Sequence, residues 1–155
     1  MNLSTVSLAL LLTGALAVAS PPEETSHARI AHSIAQKENW DGHSIGAADE
    51  RGRYQFKPST WFQHSRHPLW WASSSLQKCI AEQDRVARCI IAEAEARLPE
   101  IGMTVSVYTI ALAWNCGLGA LGETPRRIPD RAAQFARDVE TIYDQGDFSR
   151  YNQGK

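Results

Sequence analysis

Residues 30–39 read IAHSIAQKEN, and their spacing predicts an α-helix with one apolar face. Apolar residues fall at positions i, i+1, i+4 and i+5, which lie on one side of a helix; they are Ile30, Ala31, Ile34 and Ala35. Glu38 continues this stripe one turn further on. Burial there would raise the pKa of the carboxyl, as a general acid working near neutral pH requires. The alternative is a helix-end Glu that turns to solvent, which is the commoner situation for a carboxylate.

The first 19 residues carry no charge and are rich in Leu, Ala and Val. The small-x-small sequence at residues 17–19 precedes Ser20, as at a signal-peptidase site. We therefore predict a secretory signal peptide over residues 1–19, although the usual positive charge at its start is missing. A spanning helix is disfavoured because the apolar run falls short of ~20 residues. The expected product is exported, periplasmic or extracellular, with one domain over 20–146 and a flexible tail over 147–155.

Composition argues against several classes of function. The chain has 155 residues, a net charge of −1 and no cluster of Lys and Arg, so nucleic acid and anionic membranes lack an electrostatic match. Its five histidines and three cysteines show neither zinc spacing nor a His-Glu-x-x-His motif. No nucleophile-elbow sequence marks a Ser-His-Asp triad. We expect no metal, no cofactor, no membrane partner after signal cleavage, and a monomer.

Apolar periodicity predicts a mainly α fold of about five helices, with a loop or short β-hairpin near residues 41–56. The predicted helices cover residues 26–38, 58–62, 81–98, 105–116 and 130–144. Residues 105–116 are apolar nearly all round, which predicts a helix in the middle of the core. Thr104 is the expected N-cap of this helix, and Gly117 its end. The pattern gives no support to a parallel βαβ arrangement.

Three cysteines are an odd number for an exported chain. Cys79 and Cys89 cannot bridge within one helix, because their separation along it would be ~15 Å and a disulfide needs Cα atoms within ~7 Å. A disulfide requires either a loop at Cys79 that folds back or a pairing of one of the two with Cys116. Each cysteine is equally acceptable as a small buried residue, so the pattern leaves these alternatives open.

Two further segments contain side chains suited to ligand binding. In residues 46–55, GAADERGRYQ, glycines allow close backbone approach, and Gln55 offers a neutral donor and acceptor for hydroxyls and amides. Asn115 ends the apolar helix, where a cleft would provide its hydrogen-bond partners. The alternatives are a solvated turn for the first segment and an ordinary C-capping Asn for the second.

Together the three segments resemble the lysozyme-like lytic transglycosylases and goose-type lysozymes. In that family a helix ends in Glu-Ser, a loop carries Gly-Ala-x-Gly-Leu-x-Gln, and a buried helix closes with Ala-Tyr-Asn-Ala-Gly. The matching segments are Glu38-Asn39, residues 46–47 with 52–55, and residues 113–117. Residues 58–60 are similar to the family's Pro-x-Thr. The resemblance covers about residues 30–121.

The resemblance implies a lysozyme-like catalytic domain over 20–146, with roles for individual residues. Glu38 matches the catalytic acid/base, Gln55 the glutamine beside the cleft, and Asn115 the asparagine that holds substrate near the acid. Trp114 stands where the family has Tyr, and Asn39 where it has Ser; an indole can stack on a sugar and donate one hydrogen bond, but it cannot accept one. The expected substrate-binding residues are Gln55, Tyr54, Trp114, Asn115, Asn39, Asp49 and Tyr108.

The implied activity is cleavage of the β-1,4 bond between N-acetylmuramic acid and N-acetylglucosamine in peptidoglycan. Glycosidases generally use two carboxylates, whereas lytic transglycosylases use one Glu as acid and then as base while the muramic acid C6 hydroxyl closes a 1,6-anhydro ring. Candidates for a second carboxylate are Asp41, Asp49 and Glu50, but Lys57 stands in the place after the Gln where goose-type enzymes would have one. We therefore expect the single-acid mechanism.

Two alternatives follow from the same residues. The departures at Trp114 and Asn39 allow a non-catalytic glycan-binding wall protein on the same scaffold. The acidic residues of the loop allow a lysozyme- or chitinase-like hydrolase that uses Asp49 or Glu50 as its second carboxylate.

Overall fold

The structure, a computed structural model, describes residues 26–39, 45–123 and 128–146, and this part of the chain is mainly helical. Its six α-helices are α1 (Ser26–Asn39), α2 (Pro58–His64), α3 (Gln77–Arg97), α4 (Val107–Cys116), α5 (Leu118–Gly122) and α6 (Asp130–Gln145). Two short 3-10 helices cover Leu69–Ser73 and Pro99–Ile101. The predicted mainly α class is confirmed.

The predicted signal peptide, residues 1–19, and the predicted tail, residues 147–155, lie outside the described residues. Within residues 26–39, 45–123 and 128–146, no helix combines the length and the apolar character needed to cross a membrane.

Helix α4 is a core helix, as its all-round apolar sequence predicts. It packs against α3 and α6, and α1 packs against the same two helices. Four consecutive α4 residues are buried, namely Ile110, Ala111, Leu112 and Ala113. The apolar stripe of α1 is buried too, with Ile34 and Ala35 fully inaccessible to water. Burial of each large aliphatic side chain stabilises the fold by about 1.5–3 kcal/mol. The buried stripe therefore holds α1 against its neighbours and so positions the last turn of this helix.

Two helix starts differ from the predicted ones. Helix α4 begins after Ser106, and the expected N-cap Thr104 is wrong. The Ser106 hydroxyl accepts from the Thr109 N–H at 3.1 Å, and the Thr109 hydroxyl accepts from the Ser106 N–H at 2.9 Å, which is a capping box. Helix α3 begins at Gln77 rather than near residue 81; one turn of Gln, Lys, Cys and Ile is too short to show a helical period in the sequence.

The short helix α5 is absent from the prediction, because its sequence, LGALG, is too short and too rich in glycine to show a period. It follows α4 directly after Gly117, whose φ of 82° ends α4 as predicted. At the far end of α6, Gly146 adopts a left-handed conformation with a φ of 63°, the usual way for a helix to stop.

Residues 45–56 form consecutive turns joined by isolated antiparallel bridges, from Ile45 to Arg51 and from Arg51 to Phe56. Of the two predicted forms, a loop or a short β-hairpin, the described segment is a loop of turns with single bridges, while residues 41–44 lie outside the described part of the chain. Gly52 has a φ of 72°, and a Cβ there would lie 1.7 Å from the carbonyl oxygen of Ala72. Glycine therefore lets the turn pack directly on the first 3-10 helix.

Buried polar contacts attach this turn to α3. The Tyr54 hydroxyl donates to Asp84 Oδ1 at 2.8 Å, and the Arg53 guanidinium lies 3.6 Å from the same carboxylate oxygen. Only 1 % of Tyr54 and 9 % of Asp84 is exposed. A carboxylate buried to this extent requires such partners, so the turn and α3 depend on each other for their placement.

All three cysteines are free thiols. Cys79 and Cys89 both lie on α3, where the helical spacing keeps them apart. Cys79 is fully buried and serves as a small apolar residue of the core, whereas Cys89 is exposed.

Candidate active site

A groove of about 860 Å³ runs past the end of α1 and is bounded by the turn at residues 46–50, the start of α2, one face of α3, the end of α4 and the start of α6. Its polar lining residues include Glu38, Glu50, Gln55, Lys57, Glu93, Asn115, Cys116 and Arg131. Helix packing creates the groove, because α6 packs against both α1 and α4, and the ends of α1 and α4 and the start of α6 border it.

Glu38 lies one residue before the end of α1 and is half-buried in this groove. The pKa of its carboxyl is raised from 4.5 to about 7, mainly by burial, and the negative charge of Glu50 contributes in the same direction. A hydrogen bond from Trp114 and the positive charges of Arg131 and Lys37 act in the opposite direction. A carboxyl whose pKa lies near neutral pH is present in both its protonated and its ionised form, which equips it to give a proton and to take one back.

Trp114 is the direct partner of Glu38. Its Nε1–H donates to Glu38 Oε1 at 3.3 Å. The indole also packs against two aromatic rings, with centroid distances of 6.1 Å to Tyr54 and 5.9 Å to Phe56, a range typical of packed aromatic pairs. An indole N–H is donor only, so Trp114 stabilises the ionised form of Glu38 and leaves the proton of the acid form available to a ligand.

Glu50 and Gln55 meet at Gly46. A Cβ at this glycine would lie 2.2 Å from Glu50 Oε2 and 2.9 Å from Gln55 Oε1, so both side chains rest against a bare backbone. Glu50 Oε2 also accepts from the Ala48 N–H at 2.9 Å. Gln55 donates from Nε2 to the Gly52 carbonyl at 2.8 Å and has a φ of 48°, a backbone conformation that non-glycine residues seldom adopt. The turn thus fixes the amide and the carboxylate beside each other in the groove wall.

Four of the predicted site residues line this one groove, namely Glu38, Gln55, Trp114 and Asn115. Asn115 is half-buried at the end of α4, immediately after Trp114. The three segments singled out in the sequence therefore converge on one cavity.

The other predicted site residues lie elsewhere. Tyr54 is buried beneath the groove, where its hydroxyl is bound to Asp84, so its assignment to substrate binding is wrong. Asp49 is exposed, has a φ of 61° and binds Arg51 through Oδ1; it does not line the groove. Tyr108 packs against the core outside the groove. In these places turn geometry and packing, rather than position in the sequence, decide where the side chain lies.

For two of the residues named from the sequence, Asn39 and Asp41, the structure describes no side chain. Asn39 ends α1, but its side chain lies outside the described part of the chain, as does the whole of Asp41. Of the two candidates for a second carboxylate that the structure describes, Asp49 and Glu50, Glu50 lines the groove.

The sequence reasoning missed Arg131, in the first turn of α6, which lines the groove and acts electrostatically on Glu38. Its neighbours, Pro129 and Asp130, indicate a helix start but give no sign of a site. Lys57, which in the sequence only marks the absence of a carboxylate, also lines the groove. In residues 26–39, 45–123 and 128–146, no three His, Cys, Asp or Glu side chains are grouped so that they could hold a metal ion.

Comparisons with protein-family models, with curated proteins and with solved structures find no match. Function is therefore inferred from the residues and the geometry of the chain itself.

Proposed function

We propose that this chain is an exported, lysozyme-like enzyme that cleaves the β-1,4 bond between N-acetylmuramic acid and N-acetylglucosamine in peptidoglycan, with Glu38 as the general acid and base. The observation that supports it best is the half-buried carboxyl of Glu38, with a pKa of about 7, in a groove that also holds Gln55 and Asn115. Glycosidases require such a carboxylic acid, kept protonated near neutral pH, beside the bond they cleave.

In the favoured mechanism, protonated Glu38 gives its proton to the glycosidic oxygen as the bond from that oxygen to C1 of the muramic acid breaks. The Glu38 carboxylate then accepts the proton of the C6 hydroxyl of the same sugar, whose oxygen bonds to C1 and closes a 1,6-anhydro ring. No water is consumed, and Glu38 ends the cycle protonated. Trp114 supports the intermediate stage, since its N–H stabilises the carboxylate.

A hydrolase is the second candidate, and the position of Glu50 favours it. This carboxylate lines the same groove and acts electrostatically on Glu38. Two carboxyl groups with space between them for a water molecule are the arrangement of an inverting glycosidase. In that mechanism Glu50 takes a proton from the attacking water while Glu38 protonates the leaving oxygen.

Product analysis tests both candidates. Purified peptidoglycan is digested with the wild-type protein, and the soluble fragments are identified by mass spectrometry. The single-acid mechanism predicts 1,6-anhydro ends, one water lighter than reducing ends, and it predicts that Glu50→Gln leaves them unchanged in kind. If the wild-type protein instead produces reducing ends, and Glu50→Gln no longer produces them, the hydrolase mechanism is correct and the transglycosylase mechanism is wrong. Absence of soluble fragments with the wild-type protein would contradict both.

A further inference from the structure

Two cations in the groove have no ion-pair partner among the described residues, and the proposed chemistry does not use them. Arg131 and Lys57 both line the groove with exposed side chains. The ion pairs within residues 26–39, 45–123 and 128–146 include neither of them. Elsewhere on α6 a solvent-facing arginine, Arg137, has a polar neighbour: it donates to Gln134 Oε1 at 2.9 Å.

None of the described acidic residues that line the groove forms an ion pair with either of these two cations. Glu93 has its own partners, with Arg97 at 3.6 Å and His64 at 3.7 Å. Glu50 accepts from the Ala48 N–H. Glu38 is held partly in its neutral form by burial. The groove therefore presents a guanidinium and an ammonium to whatever occupies it.

A guanidinium is suited to a planar carboxylate, which it can bind through two parallel N–H groups. Arg131 is near enough to Glu38 for its charge to act on that carboxyl, so a ligand whose scissile bond meets Glu38 brings its neighbouring substituents towards Arg131. In peptidoglycan the muramic acid beside that bond carries a lactyl group, which ends in a carboxylate or continues into a peptide with carboxylates. Polymers of N-acetylglucosamine have no such charge.

We propose that Arg131, assisted by Lys57, binds a carboxylate of the glycan and thereby selects strands that carry lactyl or peptide carboxylates over uncharged ones. This inference rests on the proposed function and assigns the substrate class of the same groove. Arg131 acts here as a specificity-determining residue and takes no part in proton transfer.

Binding to matched glycans tests the proposal. The ligands are amidase-treated peptidoglycan strands with free lactyl carboxylates, the same strands after methyl esterification, and intact strands with their peptides. Affinities are measured by calorimetry on the full mature chain with Glu38→Gln, so that no ligand is consumed. Because a charge-assisted contact is typically worth a factor of ~10 or more in affinity, we expect the free acid to bind at least ~10-fold tighter than its ester.

Arg131→Gln should remove this preference, and Lys57→Gln should reduce it. Arg137→Gln is the matched control, since Arg137 lies on the same helix outside the groove, and it should keep the preference. If the peptides rather than the lactyl groups supply the carboxylate, Arg131→Gln will weaken binding of the intact strands alone, which also supports the proposal. If Arg131→Gln still binds the strands with free carboxylates more tightly than their esters, by the same factor as the protein with Arg131, the proposal is wrong.

The same preparations separate this inference from the function on which it rests. Cleavage of the strands by the protein with Glu38 intact, together with an unchanged preference in Arg131→Gln, would leave the proposed function standing and remove the role of Arg131. Thermal melting of each variant confirms folding, which an exposed residue in the first turn of α6 should not disturb.

Discussion

Replacing Trp114 with Phe separates two ways in which the indole acts on Glu38. The Nε1–H donates to Glu38 Oε1 at 3.3 Å and lowers the pKa of the carboxyl, while the bulk of the ring helps to keep water away. Phe removes the donor and keeps a ring that can pack against Tyr54 and Phe56. Without the hydrogen bond, the charged form of Glu38 is less stable, so its pKa should rise.

The size of the shift follows from the length of the bond. Hydrogen bonds to charged groups contribute about 1.5–3 kcal/mol, and at 3.3 Å this one is longer than the 2.7–2.9 Å of the strongest examples. The lower end, about 1.5 kcal/mol, corresponds to roughly one pKa unit, since one unit is about 1.4 kcal/mol. We therefore expect the pKa of Glu38 to rise from about 7 by roughly one unit in Trp114→Phe.

The pKa of Glu38 is read from carbon NMR of labelled glutamate and, independently, from the alkaline limb of the pH–rate profile on peptidoglycan. Activity requires protonated Glu38, so the limb should move to higher pH by about one unit. Trp70→Phe is the matched control, since Trp70 is 54 % exposed and lies outside the groove. A limb that stays in place or moves to lower pH in folded Trp114→Phe refutes the reasoning, and a downward shift would show that the indole acts mainly by excluding water.

Three further predictions concern charge and stability. Glu50→Gln removes a like charge that raises the pKa of Glu38, so the alkaline limb should move to lower pH; an upward shift would contradict this. Tyr54→Phe deprives Asp84 of a buried donor and should cost about 1–3 kcal/mol in urea unfolding, whereas an unchanged midpoint would show that the contact is dispensable. Glu38 has a higher pKa folded than unfolded, so between pH 4.5 and 7 its contribution to the free energy of unfolding should fall by about 3 kcal/mol, and Glu38→Gln should remove this part of the pH dependence.

The helices and one half of the site could be predicted from the sequence, because both depend on local spacing. Burial of α1 along Ile34 and Ala35 places Glu38 at the end of an apolar stripe, and α4 ends with Trp114 and Asn115 because Gly117 stops it. Apolar residues that recur every 3.6 residues show which face of a helix is buried, and the position of that face determines where the side chain at its end lies.

The turn at residues 45–56 could not be predicted at the same level. Asp49 and Glu50 are adjacent, yet only Glu50 lines the groove, whereas Asp49 has a φ of 61° and its carboxylate binds Arg51. Tyr54 and Gln55 are likewise adjacent, and tertiary contact with Asp84 draws Tyr54 inward while Gln55 stays in the groove wall. In neither pair does a periodic pattern of apolar residues show which side chain lines the groove, so residue type and spacing are not enough to predict it.

Arg131 illustrates a third limit. It reaches the groove because α6 packs against α1 and α4, and its contact with α1 joins segments that lie about a hundred residues apart along the chain. The apolar stripe of α6 predicts that the helix is packed but does not specify which cavity its first turn borders. Long-range packing of this kind is visible only in the folded chain.

The most direct test of the central claim is the turnover of purified peptidoglycan by Glu38→Gln beside the wild-type protein. Gln keeps the shape of the side chain but cannot donate a proton as an acid, so release of soluble fragments should fall at least ~100-fold. Glu93→Gln is the matched control, because Glu93 lines the same groove but pairs with Arg97 and His64, and it should retain activity within a few-fold. Undiminished release by a folded Glu38→Gln protein would contradict the assignment of Glu38 as the catalytic acid.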